Sequence, residues 1–480
     1  MLKIEISIRV RIMTQMSNHN QNNKRHSEID KIVYKKVGSG SYGFVISPGI
    51  SSLHSQHSQN QKNKKNDKNR PDEDTSKQVS KLFFNECGET TERNKAFIVD
   101  VFIDPQNTFT PRLISYGRIQ KQKAYEIIKS VEMGEKEKVF DIHDDSIPFI
   151  TYQNGGENLD CFFMKKERTI YFEDLLPGFM TLLQGVQKMH RVGYSHSDIK
   201  PLNMVVDDKN KISLIDFGEL VKHDKFKETL HKYRIDYKYC YYPPDFIFLS
   251  SLFKDNDKEK FQQRFREQYA KVFGFLNIND INLLYESFLN IRKFLVNDLN
   301  ALNALNGKSA LNALNASNHS NQNEKNEKNK KMRSTLENDI IKKAFARIEA
   351  QLEYDDRQPK YPSYFDTFAL GISIRQIYID AQRSRRIRYP IWCAKNIIPI
   401  FSGMCNPYLK GRYHIDKAVD SWNESLECYK NHLDNIQNQN YVLKPNCDGK
   451  KKRECNGMTK RNKKCCRLAM NGSDTCHYHK

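Results

Sequence analysis

The chain has 480 residues, 38% of them hydrophobic, with a formal net charge of +20; that is enough length for two to four domains and too little apolar content for all of it to be packed. No apolar run approaches the ~18 to 20 residues that span a bilayer, and the Cys are scattered before Cys447 and clustered after it, without a disulfide framework. A cytoplasmic, reducing setting is therefore expected, and the excess of Lys and Arg favours acidic partners, nucleic acid among them.

In chain order, residues 1–29 read as a polar leader whose alternating start lacks the apolar block and cleavage site of a signal peptide. The strand-like Ile32–Lys36 leads into Val37, Gly38, Ser39, Gly40, Ser41, Tyr42, Gly43, Phe44 and Val45. Glycine at 38, 40 and 43 lets backbone N–H groups approach phosphates without a Cβ in the way. Residues 51–78 hold almost nothing apolar and are expected to be a disordered insertion. Strand character returns at Val79–Phe83, which carries Lys81, and Glu86, Glu89 and Glu92 follow. Helical character is clearer from Glu92 onward, because Gly88 interrupts the earlier part and Thr90-Thr91 favour a cap. Ile147–Tyr152 reads as a strand and 153–156 as a linker. Residues 172–190 carry apolar side chains at helical spacing, as a core helix does.

Two short stretches then hold the chemistry: Tyr194-Ser-His-Ser-Asp-Ile-Lys-Pro-Leu-Asn203 and Leu214-Ile-Asp-Phe-Gly218. Moving a phosphoryl group needs an acceptor hydroxyl aimed in line and cations to hold charge on the phosphate oxygens. Asp198 has the chemistry to take and orient the hydroxyl proton, Lys200 to neutralise the transferred group, and Asn203 and Asp216 to offer hard oxygen ligands to Mg²⁺. Val205-Val206 and Ile212–Ile215, either side of a polar turn, predict a hairpin that puts these groups at strand ends.

Together these residues resemble the catalytic-loop and Asp-Phe-Gly signatures of eukaryotic-type protein kinases, with Lys200 as in the Ser/Thr-directed version. The resemblance implies an α+β, bilobal fold with a small β-rich N-lobe, a larger helical C-lobe, and ATP as cofactor. It makes residues 37–45 the hairpin over the nucleotide and Lys81 the lysine reaching the α- and β-phosphates. Glu92 becomes the helical acid paired with Lys81, and 153–156 the linker facing the adenine edge. Ser197 stands where many family members carry an Arg that clamps a phosphorylated activation segment, so activity that depends little on such phosphorylation is expected. Tyr241-Tyr-Pro-Pro-Asp245 resembles the Ala-Pro-Glu motif and Met404–Arg412 its late arginine motif, which implies a buried Asp245–Arg412 ion pair. Asp366–Gly371 resembles the family's Asp-x-x-x-Leu-Gly helix, and residues 246–360 read as a helical and low-complexity insertion.

Residues 431–480 form a basic tail in which Cys455, Cys465, Cys476 and His479 can close a tetrahedral Zn²⁺ site. It resembles the Cys3His knuckles of large-DNA-virus proteins, and its Lys and Arg clusters suit phosphates. The sequence is thus read as a Ser/Thr protein kinase acting on protein substrates through a domain at 30–430. It resembles the divergent kinases of nucleocytoplasmic large DNA viruses, acting in host cytoplasm or virion. Two rival readings stay open: a kinase-like small-molecule phosphotransferase, and a catalytically weak scaffold binding nucleic acid through the tail.

Overall fold

The computed structural model describes residues 34–39, 43–50, 77–83, 86–131, 145–160, 162–165, 170–226, 241–245, 361–408 and 411–442, with isolated helical positions between 286 and 347. The chain divides into two compact units, Met1–Asn423 and Glu424–Lys480. Cys455, Cys465, Cys476 and His479 lie outside the described residues, as do Gly40, Ser41 and Tyr42. Among the described residues no cluster of three or more His, Cys, Asp and Glu is placed to hold a metal ion, and no helix is long and apolar enough to cross a membrane.

The first unit opens with a five-stranded antiparallel sheet made of β1 (Lys35–Ser39), β2 (Gly43–Ser47), β3 (Gln78–Phe83), β4 (Leu113–Gln120) and β5 (Ser146–Gln153). Their order is β1-β2-β3-β5-β4. Because side chains alternate along a strand, the registers Val45↔Lys81 and Lys81↔Ile150 put these three on one face. The other face carries Ile46, Leu82, Ile147 and Phe149, and helix α2 (Lys121–Ser130) buries Ala124 and Ile127 against it. The chain after β2 folds back over that face. There Ile50 donates its N–H to Ser80 Oγ at 2.7 Å and accepts from Thr151 Oγ1 at 3.3 Å. One sheet face is thus sealed by apolar packing, and the face bearing Lys81 is left for the site.

Helix α1 (Glu86–Ile98) runs unbroken through Gly88, Thr90 and Thr91, so the interruption and cap expected there do not form. Burial of Glu89, Glu92, Ala96 and Val99 along one helical stripe outweighs the local propensities. A π-helical turn, Val99–Ile103, continues α1 into the loop before β4. That loop is pinned to the helical part of the chain: Phe109 is fully buried and its carbonyl accepts the Leu214 N–H at 2.8 Å. Its ring lies so close to Gly185 that a Cβ there would meet Phe109 Cγ at 2.1 Å.

Past β5, the described part of the unit is mainly helical, with short strands between. A 3-10 turn, Phe172–Leu175, precedes α3 (Leu176–Arg191), close to the expected 172–190. Strands β6 (Glu157–Asn158), β8 (Met204–Val206) and β9 (Ile212–Leu214) form a small sheet, and β7 (Tyr194–Ser195) pairs with β10 (Val221–Lys222). Helix α4 (Pro362–Arg383), buried on nearly every turn of its first half, packs against α6 (Ile398–Met404), which in turn packs with α5 (Pro390–Asn396). Helix α7 (Ile415–Val442) begins in the first unit, where Trp422 is fully buried and donates its indole N–H to the Leu176 carbonyl at 3.2 Å. An antiparallel sheet first and a helical part after it is the expected α+β, two-part order.

Candidate active site

Strand β3 and helix α1 deliver the first pair. Lys81 Nζ lies 2.5 Å from Glu92 Oε2, with only 13% and 6% of the two side chains exposed. Glu92 is therefore the partner of Lys81, while Glu89 pairs within α1 with Arg93 at 3.1 Å. Lys81 Nζ also lies 3.6 Å from Asp216 Oδ1, whose side chain is 41% exposed. Burial works against the charge on Lys81, yet Asp216 and Glu92 outweigh it and hold the ammonium above the ordinary lysine range. Burial and the Asp216 carboxylate push Glu92 upward, with Lys81 and Lys95 pulling the other way. Three elements far apart in sequence thus meet at one charge cluster.

The catalytic-loop residues form a second cluster. Lys200 Nζ donates to Asp198 Oδ2 at 2.8 Å, and Asn203 Nδ2 donates to both Asp198 O and Asp198 Oδ2 at 2.9 Å. Because its nitrogen is committed to Asp198, Asn203 keeps its amide oxygen as an acceptor for a cation. With the open carboxylate of Asp216, that makes a hard-oxygen donor set of the kind Mg²⁺ accepts. The Ile215 N–H donates to the Asn203 carbonyl at 2.9 Å, which ties the two loops directly.

His196 makes a second tie. Its Nδ1 accepts the Asp198 N–H at 3.2 Å while Nε2 donates to the Ile215 carbonyl at 3.1 Å, a pattern that needs the neutral ring. Burial lowers its pKa and keeps it in that form. The backbone beneath is held by Asp366 on α4, which accepts the His196 N–H at 2.7 Å, the Ser197 N–H at 2.9 Å, and His190 Nε2 at 3.1 Å. Burial alone would raise the Asp366 carboxyl, but these donors carry it below its usual range. Their support matters because Ser197 (φ 66°) and Asp216 (φ 62°) both adopt left-handed backbone, which costs a non-glycine residue about 1–3 kcal/mol.

Asp245 and Arg412 meet as expected, at 2.6 Å with neither side chain exposed, and Tyr361 donates its hydroxyl to the same carboxylate. Arg412 also donates to the Asn406 carbonyl at 2.8 Å and lies over the Phe368 ring. In the N-terminal hairpin, Gly38 faces Val45 and Ser39 faces Phe44 across β1 and β2, with a register irregularity between Lys36 and Gly38. Val37 is exposed. At Gly43 a Cβ would stand 2.0 Å from the Leu82 carbonyl oxygen, so strand pairing itself demands glycine there. Sequence reading left His196 and Lys95 unassigned and treated Asp366 as a landmark only. The three-residue spacing of Lys95 from Glu92 was the signal available for Lys95.

No protein-family model matches the chain. Over 120 residues, 23% of this chain and 4% of the other, it is 36% identical to the striated muscle preferentially expressed protein kinase of Danio rerio. It is 28% identical over 144 residues to the serine/threonine-protein kinase PKH2 of Candida albicans, covering 30% of this chain and 15% of that protein. The B1 kinase of Vaccinia virus (strain Ankara) is 34% identical over 76 residues, 15% of this chain and 25% of that one. The chain is a distant, partial homologue of Ser/Thr protein kinases. The matches span a quarter or less of the length of these relatives.

Proposed function

We propose that the chain is a Ser/Thr protein kinase that transfers the γ-phosphate of ATP to protein hydroxyls with Mg²⁺. The observation that carries this is the convergence of Lys81, Glu92 and Asp216 beside the Asp198–Lys200–Asn203 cluster. In this reading Asp198 orients the acceptor hydroxyl and takes its proton, and Lys200 neutralises the moving phosphoryl group. Lys81, held by Glu92, meets the α- and β-phosphates under the hairpin of residues 37–45. Asn203 and Asp216 would hold Mg²⁺, which when bound would neutralise charge on the phosphate oxygens. The partial likeness to Ser/Thr kinases and the peptide-binding scaffold implied by the Asp245–Arg412 pair favour a protein substrate over a small molecule.

The test is γ-phosphate transfer to a mixture of protein substrates by the wild type and Asp198→Asn, with phosphoamino-acid analysis. Loss of a positioned general base predicts a fall of about 10²- to 10⁴-fold. Full-rate transfer by the variant would remove the assigned base, and phosphotyrosine as the main product would overturn the Ser/Thr assignment.

A further inference from the structure

Lys95 stands one turn after Glu92 on α1, so the two share a helix face. Glu92 uses that face to hold Lys81, and Lys95 uses it to donate its ammonium to the main-chain carbonyl of Gly218. Gly218 belongs to the tight turn Phe217–Glu219 that follows Asp216, and Asp216 is the residue held in left-handed backbone. Across the site, the residue before Asp198 offers no cation for an incoming phosphate. Ser197 instead donates its N–H to Asp366, and among the described residues its buried hydroxyl has no hydrogen-bond partner.

We infer that Lys95 is a positioning residue: it clips α1 to the Asp216–Gly218 turn, so that Lys81, Glu92 and Asp216 stay assembled in the unphosphorylated chain. The catalytic arm of this inference rests on the kinase reading; the structural arm does not. A side chain bonded to main chain locks helix and turn together without needing any particular side chain at 218. It does from inside the site what a phosphorylated segment does from outside.

Full-length wild type, Lys95→Met, Lys95→Gln and Lys95→Arg are compared after phosphatase treatment. Two readouts are taken: steady-state kinetics, as kcat and KM for ATP, and amide hydrogen exchange of segments 86–98 and 214–222 without nucleotide. Loss of a charged hydrogen bond predicts a fall in kcat of about tenfold or more for Met and Gln. KM for ATP should move far less, exchange should rise in both segments, and Arg should restore most of both readouts. Wild-type kcat with unchanged exchange in Met and Gln would overturn the inference, as would phosphatase treatment that silences the wild type. Should Met not fold, Gln carries the same comparison. If the wild type transfers no phosphate at all, the kinase reading fails, and the exchange data alone decide the clip: faster exchange in both segments supports it, unchanged exchange rejects it.

Discussion

Asp104 is fully buried, and its carboxylate accepts from the Thr108 and Thr110 hydroxyls and from the N–H groups of Thr108, Phe109 and Thr110, at 2.7 to 3.0 Å. Burial alone would raise its pKa, but these donors carry it below the usual value. A depressed carboxylate contributes stability that is whole above the unfolded pKa of about 3.9 and fades as pH falls through the lower folded value. Asp104→Asn sets an NH₂ against some of those donors and should cost about 1–3 kcal/mol at pH 7. The gap to wild type should narrow below about pH 4, as the wild-type carboxylate takes up its proton. Urea unfolding at pH 7 and pH 3 measures it, and a gap independent of pH would reject the role. None of this was legible in the sequence, because the five donors gather only once the loop folds. Asp198, Lys200, Asn203 and Asp216 were legible as candidates because they lie in two short motifs, 194–203 and 214–218.

Elements were legible where periodicity was strong or a motif fixed them. Helix α3 announced itself by its apolar spacing, and the β8–β9 hairpin by its polar turn. Strand β4 and helix α2 did not: β4 is half-exposed along much of its length and α2 fully buries only Ala124 and Ile127, so neither leaves a clear pattern. Helix α1 misled in the opposite sense, since Gly88 and Thr90-Thr91 spoke against a helix that tertiary packing imposes. The Asp245–Arg412 pair, which joins the chain ahead of the long insertion to the loop before α7, belongs to this scale. Arg412→Met leaves the Asp245 carboxylate buried with the Tyr361 hydroxyl, and should cost about 3–5 kcal/mol. In Asp245→Asn combined with Arg412→Met the stranded charge is gone, so the double variant should be less destabilised than the sum of the single ones. Additive losses in urea unfolding would show that the pair is not coupled.

At the scale of the first unit, the sheet part contributes Lys81 and Glu92 while the helical part contributes Asp198, Asn203 and Asp216. That division was legible in the sequence, since the order of the motifs along the chain dictates it; the contacts that lock the two parts together, Phe109 on Gly185 and Lys95 on Gly218, were not. A nucleotide held by both parts binds the folded chain and not the unfolded one, so it must stabilise the whole unit by mass action. Mg²⁺-ADP at a hundred times its dissociation constant should raise the unfolding free energy by about 2.7 kcal/mol. Asp216→Asn should lose the Mg²⁺-dependent share of that gain, and Lys81→Met a share that does not depend on Mg²⁺, because one residue is assigned to the metal and the other to the phosphates. Thermal unfolding with ADP alone, Mg²⁺ alone and both together separates the two. A wild type indifferent to Mg²⁺-ADP, or an Asp216→Asn variant with the full Mg²⁺ response, would mean that these side chains gather for some purpose other than a nucleotide.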